Sequence, residues 1–373
     1  MSGKVPFGDL RRQVESLREE IDAAMARVLD RGRFILGEEG KAFEREFADH
    51  LGAPEAIGVA SGTDAIALAL MALGLGPGDE VVTVSATAVP TAAAILQTGA
   101  EVVFADIDDA MTLDPEALES ALGPRTRAVV PVHLYGQPAD MARILDIAER
   151  RGLAVVEDAS QAHDAVFEGR RAGTIGNAGC FSLYPSKNLG AFGDAGIAVT
   201  GDEKLARAIR ALRNYGQSRR DHAEAPGLNS RLDELQAAIL RVKIPRLESW
   251  SARRDALASL YGRGLRDLET SGDVMLPWPR KGCRHGWHLF AIRTAKRDAL
   301  RSHLAQRGID TIVHYPTPVH RQPAYSGARV GDGGLARTEV WASRTLSLPL
   351  FPELADAEAE GVVEGVREFF GRR

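Results

Sequence analysis

From Ala56 to about Thr200 the chain alternates short β-rich runs with stretches of helical period. This alternation narrows the possible folds more than any other feature of the sequence. The runs at 81–84, 102–104, 128–132 and 154–156 are short, apolar and mostly β-branched. Runs of this kind, separated by helical segments, predict crossover units on a largely parallel sheet flanked by helices, an α/β architecture. Such sheets bind ligands beyond the carboxyl ends of their strands, so the residues that follow each run are the first candidates for chemistry.

Before the alternating region, Val14, Leu17, Ile21, Met25, Val28 and Leu29 recur at helical spacing and predict an amphipathic packing helix. After it, a long helical stretch runs from Leu232 to about Tyr261 and carries Pro245. Beyond that the text changes to short strand, helix, Pro- and Gly-rich loops and a last helix over 356–370, which predicts a smaller α+β unit. With 373 residues, two domains fit a prior of roughly 150 residues each. The expected division is a large unit over 1–248 and a small C-terminal unit over 249–373, with the boundary near Ser249.

Charge excludes one class of partner. The 46 basic and 51 acidic side chains leave a net charge of −5, with no broad cationic surface for nucleic acid. The longest apolar stretch, 65–73, is under half of a bilayer span, and the first twelve residues hold no apolar signal core. A soluble, cytoplasmic protein without a membrane partner is expected. Cys180 and Cys283 make neither a disulfide framework nor a four-ligand zinc site.

Five segments carry candidate chemistry. Ser61-Gly62-Thr63-Asp64 joins a strand end to an apolar helix, a geometry that serves either as a plain N-cap or as a phosphate site. The run 153–163 delivers Glu157 and Asp158 at a strand's carboxyl end, followed by Gln161 and His163. A buried carboxylate there needs a cationic or hydrogen-bonding partner, so Asp158 reads as a structural acceptor or as a functional group. With His163 it also admits a metal-dependent hydrolase reading. Lys187 stands alone in a loop of small, aromatic and hydroxyl residues, as a surface lysine or as a desolvated, nucleophilic amine fit for Schiff-base chemistry. Ser230 with Asp233 forms a capping-box pattern flanked by Asn229 and Arg231, a second candidate anion site. In the smaller unit, 314–320 gathers His314, Tyr315 and His320 in a proline-stiffened loop whose spacing matches no common zinc signature, and no metal is expected.

Taken in order, Phe34-Ile-Leu-Gly37, Ser61-Gly62-Thr63-Asp64, Glu157-Asp158 with Gln161 and His163, Phe181-Ser182 with Lys187-Asn188 and Gly193-Asp194, Asn229-Ser230-Arg231-Leu232 with Gln236-Ala237-Ala238, His314-Tyr-Pro316 and Leu346-Ser-Leu-Pro349 closely resemble the DegT/DnrJ/EryC1/StrS family. Its members are pyridoxal-phosphate sugar aminotransferases of the aspartate aminotransferase fold, fold type I. The resemblance implies pyridoxal 5′-phosphate as cofactor, with pyridoxamine 5′-phosphate between half-reactions. It makes Lys187 the Schiff-base lysine, Asp158 the partner of the pyridine nitrogen, and Gln161 the partner of the ring hydroxyl. Gly62, Thr63 and Ser182 match the phosphate cradle. Asn229 and Arg231 match residues that reach the phosphate from the neighbouring subunit, which implies a homodimer with shared active sites.

Where many relatives place an aromatic residue against the cofactor, this chain has Ala88. The form Tyr184-Pro-Ser-Lys-Asn-Leu-Gly-Ala-Phe-Gly-Asp194, with His133-Leu-Tyr-Gly136, resembles the members that aminate C3 of nucleotide-linked 3-keto-6-deoxyhexoses. The implied reaction is ping-pong transfer from L-glutamate to a dTDP-linked keto sugar. Tyr184, His314, Tyr315 and His320 are the expected sugar contacts. The alternatives are a C4-keto-sugar or keto-cyclitol acceptor, or a cofactor-binding regulator without turnover.

Overall fold

The computed structural model describes residues 4–372. Its centre is an eight-stranded sheet in the order Glu55–Val59, Gly196–Thr200, Ala178–Ser182, Ala154–Asp158, Thr126–Val130, Glu80–Val84, Glu101–Ala105, Arg329–Val330. Every strand runs in one direction except Gly196–Thr200, which pairs antiparallel with both neighbours. Glu80–Val84 is buried along its whole length, as a parallel strand covered on both faces must be. The α/β expectation therefore holds, and each predicted run lies on or overlaps a strand.

Helices cover both faces of the sheet. Gly62–Ala72 buries seven of its eleven residues against it, which is why its text is apolar all round. The N-terminal helix Leu10–Arg31 starts on the Asp9 cap and ends on Gly32 in the left-handed region, φ 63°. Leu17 and Ile21 pack on Ile239, and Ala24 and Val28 on Ala238. Leu29, expected in that stripe, is 60% exposed instead.

The long helical stretch is two helices, Glu234–Lys243 and Leu247–Gly264, joined by a 3-10 turn at Ile244–Arg246 where Pro245 interrupts the amide ladder. The capping box expected at Ser230 is not formed. The cap position is Asp233, and Ser230 Oγ instead accepts from the Ala60 amide (3.1 Å) and donates to Asp64 (2.7 Å). Glu234, on the first turn, caps another helix from afar. Its carboxylate accepts the amides of Gly37, Glu39 and Gly40, each at 2.9 Å, at the start of Glu38–Leu51. A Cβ at Gly37 would lie 2.4 Å from that carboxylate, which gives the Phe34–Gly37 motif its glycine.

Phe290–Arg293 and Thr345–Leu348 pair antiparallel in the C-terminal part. They share a core with Leu257, Tyr261, Leu300, Leu304 and Val362, into which Val5 from the N-terminus also packs. Between these two strands the chain returns to the large sheet. Arg329–Val330 pairs with Glu101–Ala105, and Val319, Tyr325 and Leu335 join the core around Gly62–Ala72. No helix among the described residues is long and apolar enough to cross a membrane.

In His163, His285 and His288 burial is the largest cause of a lowered pKa, which falls to about 3 for the first two. In the unfolded chain they titrate near ~6.5, so below that pH the unfolded state binds more protons than the folded one. Stability is full above about pH 6.5 and falls with acid, by up to about 1.4 kcal/mol per pH unit for each histidine. Urea unfolding at pH 7.5, 6 and 5 should show this decline, and a flat profile contradicts it.

Candidate active site

Side chains alternate along a strand, so the adjacent Glu157 and Asp158 face opposite ways at the end of Ala154–Asp158. Glu157 is fully buried and receives four donors: His133 Nε2 (2.9 Å) and the amides of Gly173, Ile175 and Gly176 (2.6–2.8 Å). His133 Nδ1 accepts the Ala139 amide, which places the ring proton on Nε2, pointed at the carboxylate. Burial pushes the Glu157 pKa up, but these donors outweigh it and the net direction is down. Glu157 is therefore structural. Asp158 borders a cavity, with Oδ2 accepting from Thr91 Oγ1 (2.7 Å) and Oδ1 from the Ser160 amide (3.1 Å).

The same cavity meets the start of helix Gly62–Ala72. Ser61 Oγ accepts the Asp64 amide at 3.1 Å. The amides of Gly62 and Thr63 precede any possible i−4 partner within the helix and form its positive end, a ready anion site. Close approach demands glycine here. A Cβ at Gly62 would lie 2.7 Å from Ser182 Cβ, and one at Gly196 would lie 2.2 Å from the Ser61 carbonyl.

Lys187 enters from a loop closed at both ends by backbone bonds, Leu183 to Ala195 and Ala191 to Leu183, each 2.8 Å. Burial brings its pKa down to about 8, against the raising pull of Asp158. The cavity wall thus unites Lys187, Asp158, Gln161, Gly62, Thr63, Ser182 and Tyr184, with Ala88 contributing only a methyl. Thr91, Thr87 and Tyr135 are absent from the sequence-level set. Thr91 fixes the Asp158 carboxylate and is itself bonded to Thr87 (3.1 Å). The Tyr135 amide donates to Gln161 Oε1 (2.7 Å). A threonine in the first turn of the helix after strand Glu80–Val84 was the available signal for Thr91; Tyr135 has none, because it acts through its backbone.

Other candidates lie elsewhere. Asn229 is exposed, and Arg231 donates to Asn214 Oδ1 (2.8 Å) with its guanidinium 5.3 Å from the centre of the Tyr215 ring. Neither lines this cavity. His320 is clasped between Ser85 Oγ (2.7 Å) and Glu339 (2.9 Å), so both ring nitrogens are engaged in holding its loop. His314 bonds Ser347 Oγ (3.0 Å), and burial takes its pKa down to about 4. The Tyr315 hydroxyl accepts from Gln161 Nε2 at 3.0 Å. His163, which the hydrolase reading pairs with Asp158, lies against Phe181 with ring centres 5.3 Å apart and does not border the cavity.

A helix start with free amides, shaped by the Gly62–Ser182 contact, a lysine of lowered pKa and a buried carboxylate on one cavity fit pyridoxal phosphate, and with this sheet they define a fold type I aminotransferase. The chain belongs to the DegT/DnrJ/EryC1/StrS aminotransferase family, whose model matches residues 15–367. It is 50% identical over 370 residues to dTDP-3-amino-3,4,6-trideoxy-alpha-D-glucose transaminase of Streptomyces venezuelae, covering 99% of this chain and 97% of the relative. A crystal structure of S. venezuelae DesV in complex with a ketimine intermediate superposes with a TM-score of 0.96 at 50% identity, covering 100% of both chains. NtdA from Bacillus subtilis with bound cofactor PMP gives 0.92 at 33% identity, covering 100% of this chain and 86% of that one. The protein is an aminotransferase with pyridoxal 5′-phosphate as its cofactor.

The lowered lysine pKa predicts that cofactor-free protein captures pyridoxal phosphate with a rate that rises through a midpoint near pH 8, where an ordinary lysine would require about 10.4. Borohydride trapping and peptide mapping should place the tag on Lys187. Lys243, also brought to about 8 by burial, is a built-in control, because its ammonium is tied to the Gly190 carbonyl (2.7 Å) outside the cavity.

Proposed function

We propose that this enzyme transfers an amino group from L-glutamate to C3 of a dTDP-linked 3-keto-6-deoxyhexose, in the cytoplasm, as a homodimer. The observation that carries the chemistry is the meeting of Lys187 and Asp158 on one cavity at a helix start. The 50% identity to a transaminase named for a dTDP-3-amino sugar supports the acceptor.

Pyridoxal phosphate bound here supplies an electron sink for the bonds broken at the reacting carbon. The chain's own groups hold and serve it. Gly62, Thr63 and Ser182 receive the phosphate. The Asp158 carboxylate, its oxygens oriented by the Thr91 hydroxyl and the Ser160 amide, would accept a hydrogen bond from the proton-bearing ring nitrogen of the cofactor. Gln161 Nε2 has a second hydrogen beyond the one given to Tyr315, and we assign it to the ring hydroxyl. Lys187 Nζ, with a pKa near 8, exists partly as free base at neutral pH and moves the proton at the donor Cα and at the acceptor carbon. Tyr184, 52% exposed on the cavity wall, is assigned to the sugar, together with Tyr315, which lies outside the wall but is bonded to its Gln161, and the adjacent His314, while His320 is assigned to its loop.

Asn229 and Arg231 are assigned to the partner subunit's phosphate. Both lie outside their own cavity, and the exposed Phe34, Ile35, Phe192 and Tyr215 surround their segment with apolar surface for a second copy to cover. We place the cofactor unit at 1–248 and the small unit at 249–373, with the return to the large sheet described above.

Purified enzyme with glutamate should turn over 3-keto sugar nucleotides, and turnover confined to 4-keto sugars or inososes overturns the assignment. A visible cofactor band that glutamate leaves unchanged would mark a regulator without turnover. Lys187→Ala should lower kcat by about 1,000-fold. Mixing inactive Lys187→Ala and Arg231→Ala chains should restore about one quarter of wild-type activity, because half the dimers are hybrids with one intact site of two. No recovery on mixing refutes the shared site.

A further inference from the structure

Behind the lysine loop the chain makes a second set of contacts that the cavity does not show. Asn188 follows Lys187 and is buried. Its Nδ2 donates to the Gly286 carbonyl at 2.6 Å, and its Oδ1 faces His288 Nδ1 at 3.3 Å. Since the amide nitrogen is spent on Gly286, Oδ1 is the acceptor and His288 Nδ1 carries the proton. The same short segment turns to the other side of the site. The Gly286 amide donates to the Gly136 carbonyl (2.7 Å) and the His288 amide to the Tyr135 carbonyl (2.9 Å). Tyr135 in turn donates its own amide to Gln161 (2.7 Å).

Close packing makes this junction rigid. A Cβ on Gly136, whose φ is 102°, would lie 2.8 Å from the Trp287 amide, and one on Gly286 would lie 2.9 Å from the His163 carbonyl. His288 makes no cavity contact, so neither it nor Asn188 touches the reacting atoms.

We propose that Asn188 and His288 are positioning residues that clamp the Lys187 loop onto the 286–288 segment and, through Tyr135, fix Lys187 and Gln161 in one frame. The inference rests on the assignment of Lys187 and Gln161 to pyridoxal phosphate. It adds that the depth at which the lysine amine is held is set from outside the cavity. The titratable groups acting on that amine are Asp158, His163, His288 and His314, and the last three are neutral at working pH. Burial is the largest cause of the lowered lysine pKa, so loosening the loop should let water in and raise it.

The test measures the pH midpoint of trace acetylation at Lys187 with acetic anhydride on full-length protein, before and after loading with pyridoxal phosphate, with N-ethylmaleimide labelling of Cys180, buried in strand Ala178–Ser182, as the reference for general loosening. In unloaded protein, His288→Ala and Asn188→Ala should move the Lys187 midpoint up by about one unit and slow pyridoxal phosphate capture at pH 7.5 about tenfold. Cys180 should stay unlabelled, and loading should protect Lys187. His288→Asn, whose amide can take the place of Nδ1, should return the midpoint to wild type. If His288→Ala fails to fold, judged by thermal melting, Asn188→Ser serves the same purpose, being too short to reach either group. An unchanged Lys187 midpoint in folded variants overturns the clamp, and so does labelling of Cys180, which would show general loosening. Failure of the wild-type protein to capture the cofactor at Lys187 overturns the functional assignment instead.

Discussion

Two carboxylates stand side by side at the end of one buried strand, and the rest of the site is arranged around the cost of keeping them there. An ion removed from water must be given donors, and Glu157 takes four of them from two separate parts of the chain. Those bonds fix the 173–176 turn that leads into strand Ala178–Ser182, and they fix the His133 loop next to Tyr135. Asp158 receives only two donors, the Thr91 hydroxyl and the Ser160 amide, and keeps its remaining acceptor capacity toward the cavity. Neighbouring residues of like charge thus acquire different tasks from the alternation of the strand alone.

How much of this was legible depended on the range of the interaction. The strands announced themselves through β-branched runs between helical segments, because burial on both faces of a parallel sheet requires continuous apolar text. Lys187, Asp158, Gln161, Gly62, Thr63 and Ser182 were legible through their ordered motifs, and they border one cavity. The reversed strand Gly196–Thr200 was not visible, since direction is a property of pairing and not of composition. Ser230 was misread as a cap because Ser-x-x-Asp is a local pattern, whereas its hydroxyl is claimed by Ala60 and Asp64 over 160 residues away. The partners of His320 were not legible either, as Ser85 lies 235 residues away and Glu339 lies 19. Leu29 fits the apolar period but falls beyond the reach of Ala238 and Ile239.

Small residues set the dimensions of the site. Gly62 lies against Ser182, Gly196 against Ser61, and Gly136 against Gly286, each without room for a methyl group. The helix start, the strand end and the lysine loop are therefore held at backbone-contact distance, and the polar groups between them need little freedom to meet. Ala88 is the opposite case, a small side chain that borders the cavity itself.

The chain's threading has a practical corollary. Val5 begins in the C-terminal core, the central segments build the sheet, 319–335 revisits it, and 345–370 closes the C-terminal core again. A cut at the apparent border near Ser249 would strip the strand Glu101–Ala105 of its outer neighbour and leave a naked, adhesive sheet rim. The two lobes are stitched together like a hem, and recombinant halves of this protein would be poor stand-ins for the whole.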